Sequence, residues 1–159
     1  MKHVRKSVLL WYSARQMYDL VIQVEAYPEF LPWCDRAEVL ERTEQGMTAR
    51  LGLAFSGLRY AFTTRNTHQA GRLVTVELVD GPFSRLGGRW AFIPVGGTPA
   101  QPTAGDVSAE PSGCRVELSL EYALHAGPLE LVLSPVFDRV ANTLVDCFVQ
   151  RAEAVYGAR

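Results

Sequence analysis

The sequence predicts an α+β fold: a curved antiparallel sheet of about seven strands with one long C-terminal helix held against it. Three observations carry this. Apolar residues alternate with polar or small ones in short runs from Arg36 to about Val95, and again from Cys114 to Leu124. After Gly127-Pro128 the apolar spacing becomes helical. The chain of 159 residues is 48% hydrophobic and 21% charged, which suits one soluble domain, 1–159, able to bury roughly two thirds of its unfolded surface.

The elements follow in order. His3–Trp11 reads as a strand, with Val4, Val8 and Leu10 on one face and Leu9 and Trp11 on the other. Ser13 and Gln16 have capping-box spacing and open a short helix bearing Met17, Leu20, Val21 and Val24 at helical intervals. In Tyr27-Pro-Glu-Phe-Leu-Pro-Trp-Cys34, prolines four residues apart permit one short helical turn between them. The meander then places Met47, Ala49, Leu51, Leu53 and Phe55 inward, followed by Tyr60, Phe62 and Thr64, by Val74, Val76 and Leu78, and by Trp90 and Phe92. Thr63 falls among the outward positions. Turn residues separate the runs, among them Ser56-Gly57, Ala70-Gly71 and Asp80-Gly81-Pro82. Gly96–Gly113, rich in Pro and Gly, is expected to be a mobile hairpin loop. The last strand turns Val116, Leu118, Leu120 and Tyr122 inward. Leu129–Leu133 reads as a separate helical turn. Ser134-Pro135 then reads as N-cap and first position of a helix reaching Tyr156, with a stripe of Val136, Phe137, Val140, Leu144, Phe148, Ala152 and Val155.

Composition narrows the function. Sixteen basic and 17 acidic residues give a net charge of −1, so no DNA partner is expected and any RNA contact must come from a local patch. No apolar run approaches the ~20 residues of a membrane span, and no secretory leader is apparent. Cys34, Cys114 and Cys147 are widely spaced, and the three histidines stand at no metal-ligand spacing from them. Free thiols in a reducing cytoplasm and no metal are the expectation. No nucleophile, phosphate or dinucleotide motif is present, so a binding protein rather than an enzyme is expected, with no required cofactor.

A helix held against a concave sheet leaves room for a small apolar ligand between them. The inward aromatics Phe55, Tyr60, Phe62, Trp90, Phe92 and Tyr122, with Phe137 on the helix, suit such a space; a filled core is the other account of them. Phe30, Trp33 and Phe83 lie on short connections, where large apolar side chains either plug a core end or form a mouth.

Five ordered motifs carry a resemblance: Tyr27–Cys34, Phe62-Thr-Thr-Arg-Asn66, Gly81-Pro-Phe-Ser-Arg-Leu86, Gly88-Arg-Trp-Ala-Phe92 and Val145–Tyr156. Together they resemble the coenzyme Q-binding protein and ribosome association toxin (RatA) family, of the START-like polyketide cyclase/dehydrase and lipid transport superfamily. The Gly96–Gly113 stretch is longer than that family usually shows.

The resemblance implies a START-like helix-grip fold and a hydrophobic tunnel for ubiquinone or a related polyprenyl quinone, supporting respiratory electron transfer. For such a ligand the expected walls are the inward aromatics with Leu31, Val136, Phe137, Val140 and Leu144. Phe30, Trp33 and Phe83 would frame the entrance. Thr64, Asn66 and Tyr122 are the polar candidates for the quinone oxygens, hydrogen bonds within the sheet being their other role. The expected location is the cytoplasm, with transient contact at the inner-membrane surface.

The resemblance also brings a second partner, the large ribosomal subunit. For that reading Arg50, Arg59, Arg65, Arg89 and Arg115 fall on outward strand positions, diluted by Glu77, Glu117 and Glu121. A third label, polyketide cyclase, needs an acid or base in the cavity, for which Tyr60, Tyr122 and His125 are the candidates.

Overall fold

The structure, a computed structural model, describes residues 1–55, 57–95 and 113–158. It contains β1 (Lys2–Leu10), α1 (Ala14–Ile22), a 3₁₀ helix (Val24–Glu29), β2 (Cys34–Thr43), β3 (Gly46–Phe55), β4 (Leu58–Gln69), β5 (Leu73–Asp80), β6 (Phe83–Val95), β7 (Gly113–Leu124) and α2 (Pro128–Tyr156). The strands form one antiparallel sheet in the order β1-β7-β6-β5-β4-β3-β2, so consecutive hairpins build the meander and β1 joins at β7. With α2 against one face, this is the expected helix-grip arrangement. Of the stretch expected to be a loop, residues 96–112 lie outside the described residues; Gly113 opens β7 opposite Val95.

Local chemistry accounts for the entry into the sheet. Ser13 Oγ accepts from the Gln16 backbone N–H at 3.1 Å, and Gln16 Oε1 accepts from the Ser13 N–H at 2.9 Å, the reciprocal pair expected of a capping box. Met17, Leu20 and Val21 are buried on the helix this opens. The following helical turn comes earlier than expected, at Val24–Glu29 with Pro28 inside it, rather than between the prolines. Pro28 presents no N–H, and the turn closes through the Phe30 and Leu31 N–H groups, both donated to the Tyr27 carbonyl.

Two further expectations are corrected. First, α2 begins at Pro128, with Gly127 as N-cap, and runs through Pro135; the separate turn at Leu129–Leu133 does not exist. Pro at the first turn is free of penalty, and an interior Pro forfeits one backbone bond. Here the forfeited acceptor is the carbonyl of Leu131, a residue 81% exposed, so water is at hand. Ser134 is therefore no cap; its hydroxyl accepts from Lys2 Nζ at 2.7 Å. Second, Thr63 is buried alongside Phe62 and Thr64. A register shift between Thr63 and Thr64 in the β4–β5 pairing breaks the alternation there.

The inner sheet face buries Met47, Ala49, Leu51 and Leu53 of β3, Trp90 and Phe92 of β6, and Val116, Leu118, Leu120 and Tyr122 of β7. The buried stripe of α2 is Leu133, Val136, Phe137, Val140, Ala141, Val145, Phe148 and Ala152; Val155, expected on it, is exposed in the last turn. The close backbone approach of α2 is to β1, β7 and α1. Over β3–β5 the helix stands further off, and long side chains bridge the difference.

Candidate ligand cavity between sheet and helix

The space under the standing-off part of α2 is a cavity of about 90 Å³. The sheet supplies Leu51, Phe62, Thr64, Asn66, Val76, Leu86, Trp90 and Leu120; α2 supplies Phe137, Val140, Leu144 and Phe148; Tyr27 and Trp33 close one end. The larger concavities, of about 350, 380 and 430 Å³, are lined mostly by polar strand residues. The inner cavity is therefore small, and it is lined mostly by apolar side chains.

Aromatic edges and faces build its walls. Phe148 packs edge-on against Trp90 at 5.1 Å and Tyr27 at 5.5 Å between ring centroids. Trp33 stacks on Phe62 at 6.4 Å. Such contacts fix ring orientation, which leaves few ways for the walls to collapse onto the space.

The polar groups are few. The Thr64 hydroxyl donates to Asn66 Oδ1 at 2.9 Å, so the Asn66 NH₂ group keeps its hydrogens for another acceptor. Trp33 is 8% exposed, and its indole Nε1 is buried without a partner among the described residues. The Tyr27 hydroxyl is spent on the Val21 carbonyl, and burial holds its phenol well above the usual value. His68 Nε2 is a second buried nitrogen without a partner among the described residues, outside the lining. Burial, and then the charge of Arg42, lower the His68 pKa.

The structure thus brings Trp33, Phe62, Thr64, Asn66, Trp90, Phe137, Val140 and Leu144 around one space. Leu31, Phe92 and Val136 are buried elsewhere in the core. Phe55 is 38% exposed at the end of β3, so its expected inward position is wrong. Tyr60 is only half-buried and does not reach the lining. Tyr122 is buried but not in the lining; its hydroxyl donates to Asp138 Oδ1 at 2.6 Å rather than serving a ligand.

The expected entrance is also corrected. Phe83 is 2% exposed and packs on Phe137 at 4.7 Å and Phe62 at 5.7 Å, behind the wall. Gly81 causes this. Its φ of +154° suits glycine, and a Cβ there would come within 2.7 Å of Phe62 Cβ, so only glycine lets the turn press Phe83 inward. Phe30 is half-buried outside the lining, edge-on to Phe148 at 5.1 Å and under the Arg151 guanidinium at 5.0 Å. The half-exposed members of the lining are Tyr27, Asn66, Val76 and Leu144, and these mark the side that meets solvent.

Among the described residues the lining contains no carboxylate, imidazole, amine or thiol. Of the candidate acid–base groups, Tyr60 and Tyr122 stand apart from it and His125 is exposed. The three cysteines are free. Burial pushes the Cys34 and Cys114 thiols up to about 11, which suppresses the nucleophilic thiolate. Among the described residues no cluster of potential metal ligands occurs, and no helix is long and apolar enough to cross a membrane.

Comparison with known proteins agrees with the fold. The model of the family described as polyketide cyclase/dehydrase and lipid transport matches residues 10–149. The chain is 41% identical over 156 residues to the ribosome association toxin RatA of Pseudomonas aeruginosa, covering 98% of each chain. It is 26% identical over 153 residues to the mitochondrial coenzyme Q-binding protein COQ10 homolog B of Xenopus laevis, covering 96% of this chain and 58% of that one. The Zhui aromatase/cyclase from Streptomyces superposes with a TM-score of 0.75 at 17% identity, over 96% of this chain and 93% of the other.

Proposed function

Because this chain belongs to the polyketide cyclase/dehydrase and lipid transport family, we propose that it is a binding protein for a lipophilic molecule. The ligand is ubiquinone or a related polyprenyl quinone, held between the sheet and α2 and carried in support of respiratory electron transfer. One observation bears most of the weight: the cavity is apolar, and its polar groups with hydrogens to spare are N–H donors, at Trp33 and Asn66. A quinone oxygen only accepts. An unpaired buried N–H costs ~1–3 kcal/mol, which an incoming carbonyl offsets. Each tail CH₂ taken from water adds ~0.8 kcal/mol.

A cavity of about 90 Å³ is well below the ~300–1,000 Å³ of typical ligand sites. On this reading the structure is a closed form, and the ligand enters by widening the gap between α2 and β3–β5 at Asn66, Val76 and Leu144. A cytoplasmic protein of this kind would collect its cargo by transient contact with a membrane surface. Among the described residues the one titratable group of the lining is the Tyr27 phenol, already committed to the Val21 carbonyl, which favours binding over cyclisation.

Titration with a short-chain ubiquinone tests this reading. Trp33 and Trp90 line the cavity, whereas Trp11 is 58% exposed. The expected result is saturable quenching of tryptophan emission that Val140→Phe, which fills the cavity, removes. Quenching that is linear, or equal in Val140→Phe, would overturn it.

Association with the large ribosomal subunit is a second reading. It is supported by the 41% identity to a protein named for ribosome association and by arginines on the outer sheet face that make no ion pair with a described residue. The two readings use opposite faces of the sheet and are compatible. Co-sedimentation of the purified protein with large subunits tests it directly.

A further inference from the structure

We propose that the outer face of β1, β7 and β6 is an RNA-backbone contact surface centred on Arg5 and Arg89; this rests on the ribosome reading and names its surface. The register places Arg5 opposite Ser119 and Ser119 opposite Arg89. Arg89 in turn stands opposite Thr75. The row Arg5–Ser119–Arg89–Thr75 crosses four strands and contains no acid. Strands are ~4.8 Å apart, so the two arginine Cα atoms lie about 10 Å from each other with only a serine between.

Both arginines are exposed, and neither makes an ion pair with a described residue. The other outward arginines are poorer candidates. Arg59 is paired with Asp35 at 3.6 Å. Arg65 stands opposite Glu77, and Arg50 opposite Glu38. Arg115 lies between Leu9 and Ile93, both exposed apolar residues.

The shape agrees with the charge. Two shallow grooves, of about 380 and 430 Å³, run on either side of this row and share Arg5, Arg89 and Ser119. They are open because their floors carry Ser7, Ala91, Thr75, Gly87 and Gly88. Small and hydroxyl-bearing residues between two guanidinium groups admit a phosphate chain closely and can hydrogen-bond it. The exposed apolar residues of this face, Leu9 and Ile93, gather around Arg115 and not in the row itself. Three carboxylates flank the row: Glu77 on β5, which lines one groove and makes no ion pair with a described residue, and Glu117 and Glu121 on β7. Glu121 is engaged by Arg85 at 3.8 Å and His3 at 4.0 Å. Glu117 makes no ion pair with a described residue and remains as a repulsive group beside the phosphate path.

Co-sedimentation of the full chain with purified large ribosomal subunits over a range of KCl concentrations tests the proposal. Arg5→Glu with Arg89→Glu should weaken binding tenfold or more. Neutral Arg5→Gln with Arg89→Gln should flatten the dependence of log K on log salt by roughly 0.7–0.9 per lost phosphate contact. Arg50→Glu should bind like the parent. Glu117→Gln, which removes a charge and adds no contact, should bind several-fold more tightly. Parent-like binding by the Arg5/Arg89 variants, or no gain in Glu117→Gln, would overturn the assignment of this face while leaving the ribosome reading intact. A parent protein that fails to co-sediment at low salt would remove the ribosome reading itself.

Discussion

The Tyr122 hydroxyl donates to Asp138 Oδ1 at 2.6 Å, and the other oxygen of that carboxylate is held by Lys2 Nζ at 2.5 Å. One carboxylate on α2 therefore ties the helix to β7 and to the start of β1. Burial of Asp138 acts to raise its pKa, but the hydrogen bonds from Lys2 and Tyr122 and the Lys2 charge outweigh it, and the net shift is downward. A carboxyl whose folded pKa is depressed contributes stability above its unfolded pKa, near 3.9, and loses it as pH falls through the folded value.

Asp138→Asn should lower the unfolding midpoint at pH 7, by an amount corresponding to ~1.5 kcal/mol for a charged hydrogen bond. The difference from the parent should shrink as the pH falls below about 4. Thermal unfolding of both proteins at neutral and acid pH checks this; a constant difference would mean that the carboxylate charge contributes nothing.

Phe83→Ala should destabilise by ~3–5 kcal/mol, as truncation of a buried aromatic does. The ring is 2% exposed and wedged against Phe137 and Phe62. Denaturant unfolding measures it. A loss under ~1 kcal/mol would return Phe83 to the surface role its place on a Gly-Pro turn suggests.

Trp33→Phe separates binding from packing. It keeps an aromatic ring against Phe62 and removes an indole N–H that has no partner among the described residues. Stability should change by less than ~1.5 kcal/mol, since no hydrogen bond is lost. Quinone affinity should fall about tenfold, the equivalent of one ~1.4 kcal/mol interaction. Quinone titration and urea unfolding of the same preparation give both numbers. Unchanged affinity would show that the indole N–H does not meet the ligand.

The meander and the closing helix were legible because burial on one side imposes period two on strands and 3.6 on helices. The capping box at Ser13 and Gln16 was legible for a similar reason, since its chemistry is local. What the pattern does not carry is distance between elements. Phe55 alternates correctly with its neighbours but lies at the end of its strand, where it is exposed. Leu86, Leu120 and Phe148 line the cavity, yet periodicity distinguishes them in no way from core residues, because the cavity exists only where α2 stands off. Tyr27 was visible in the proline-rich motif, but its place at the cavity end depends on the 3₁₀ turn starting before Pro28. Phe83 and Thr63 turned the other way through a glycine turn and a register shift, both tertiary matters. Pro135 was read as a helix start because interior proline is costly; Pro128, with the same chemistry seven residues earlier, took that place.

The central claim is that the space under α2 is a quinone site. The most direct measurement is solvent extraction and mass spectrometry of the protein purified from a quinone-producing host, beside the cavity-filling Val140→Phe variant. The account predicts a polyprenyl quinone in the parent extract, approaching one per chain, and its loss from a Val140→Phe protein that remains folded. No quinone in the parent, or an equal amount in the variant, would contradict it.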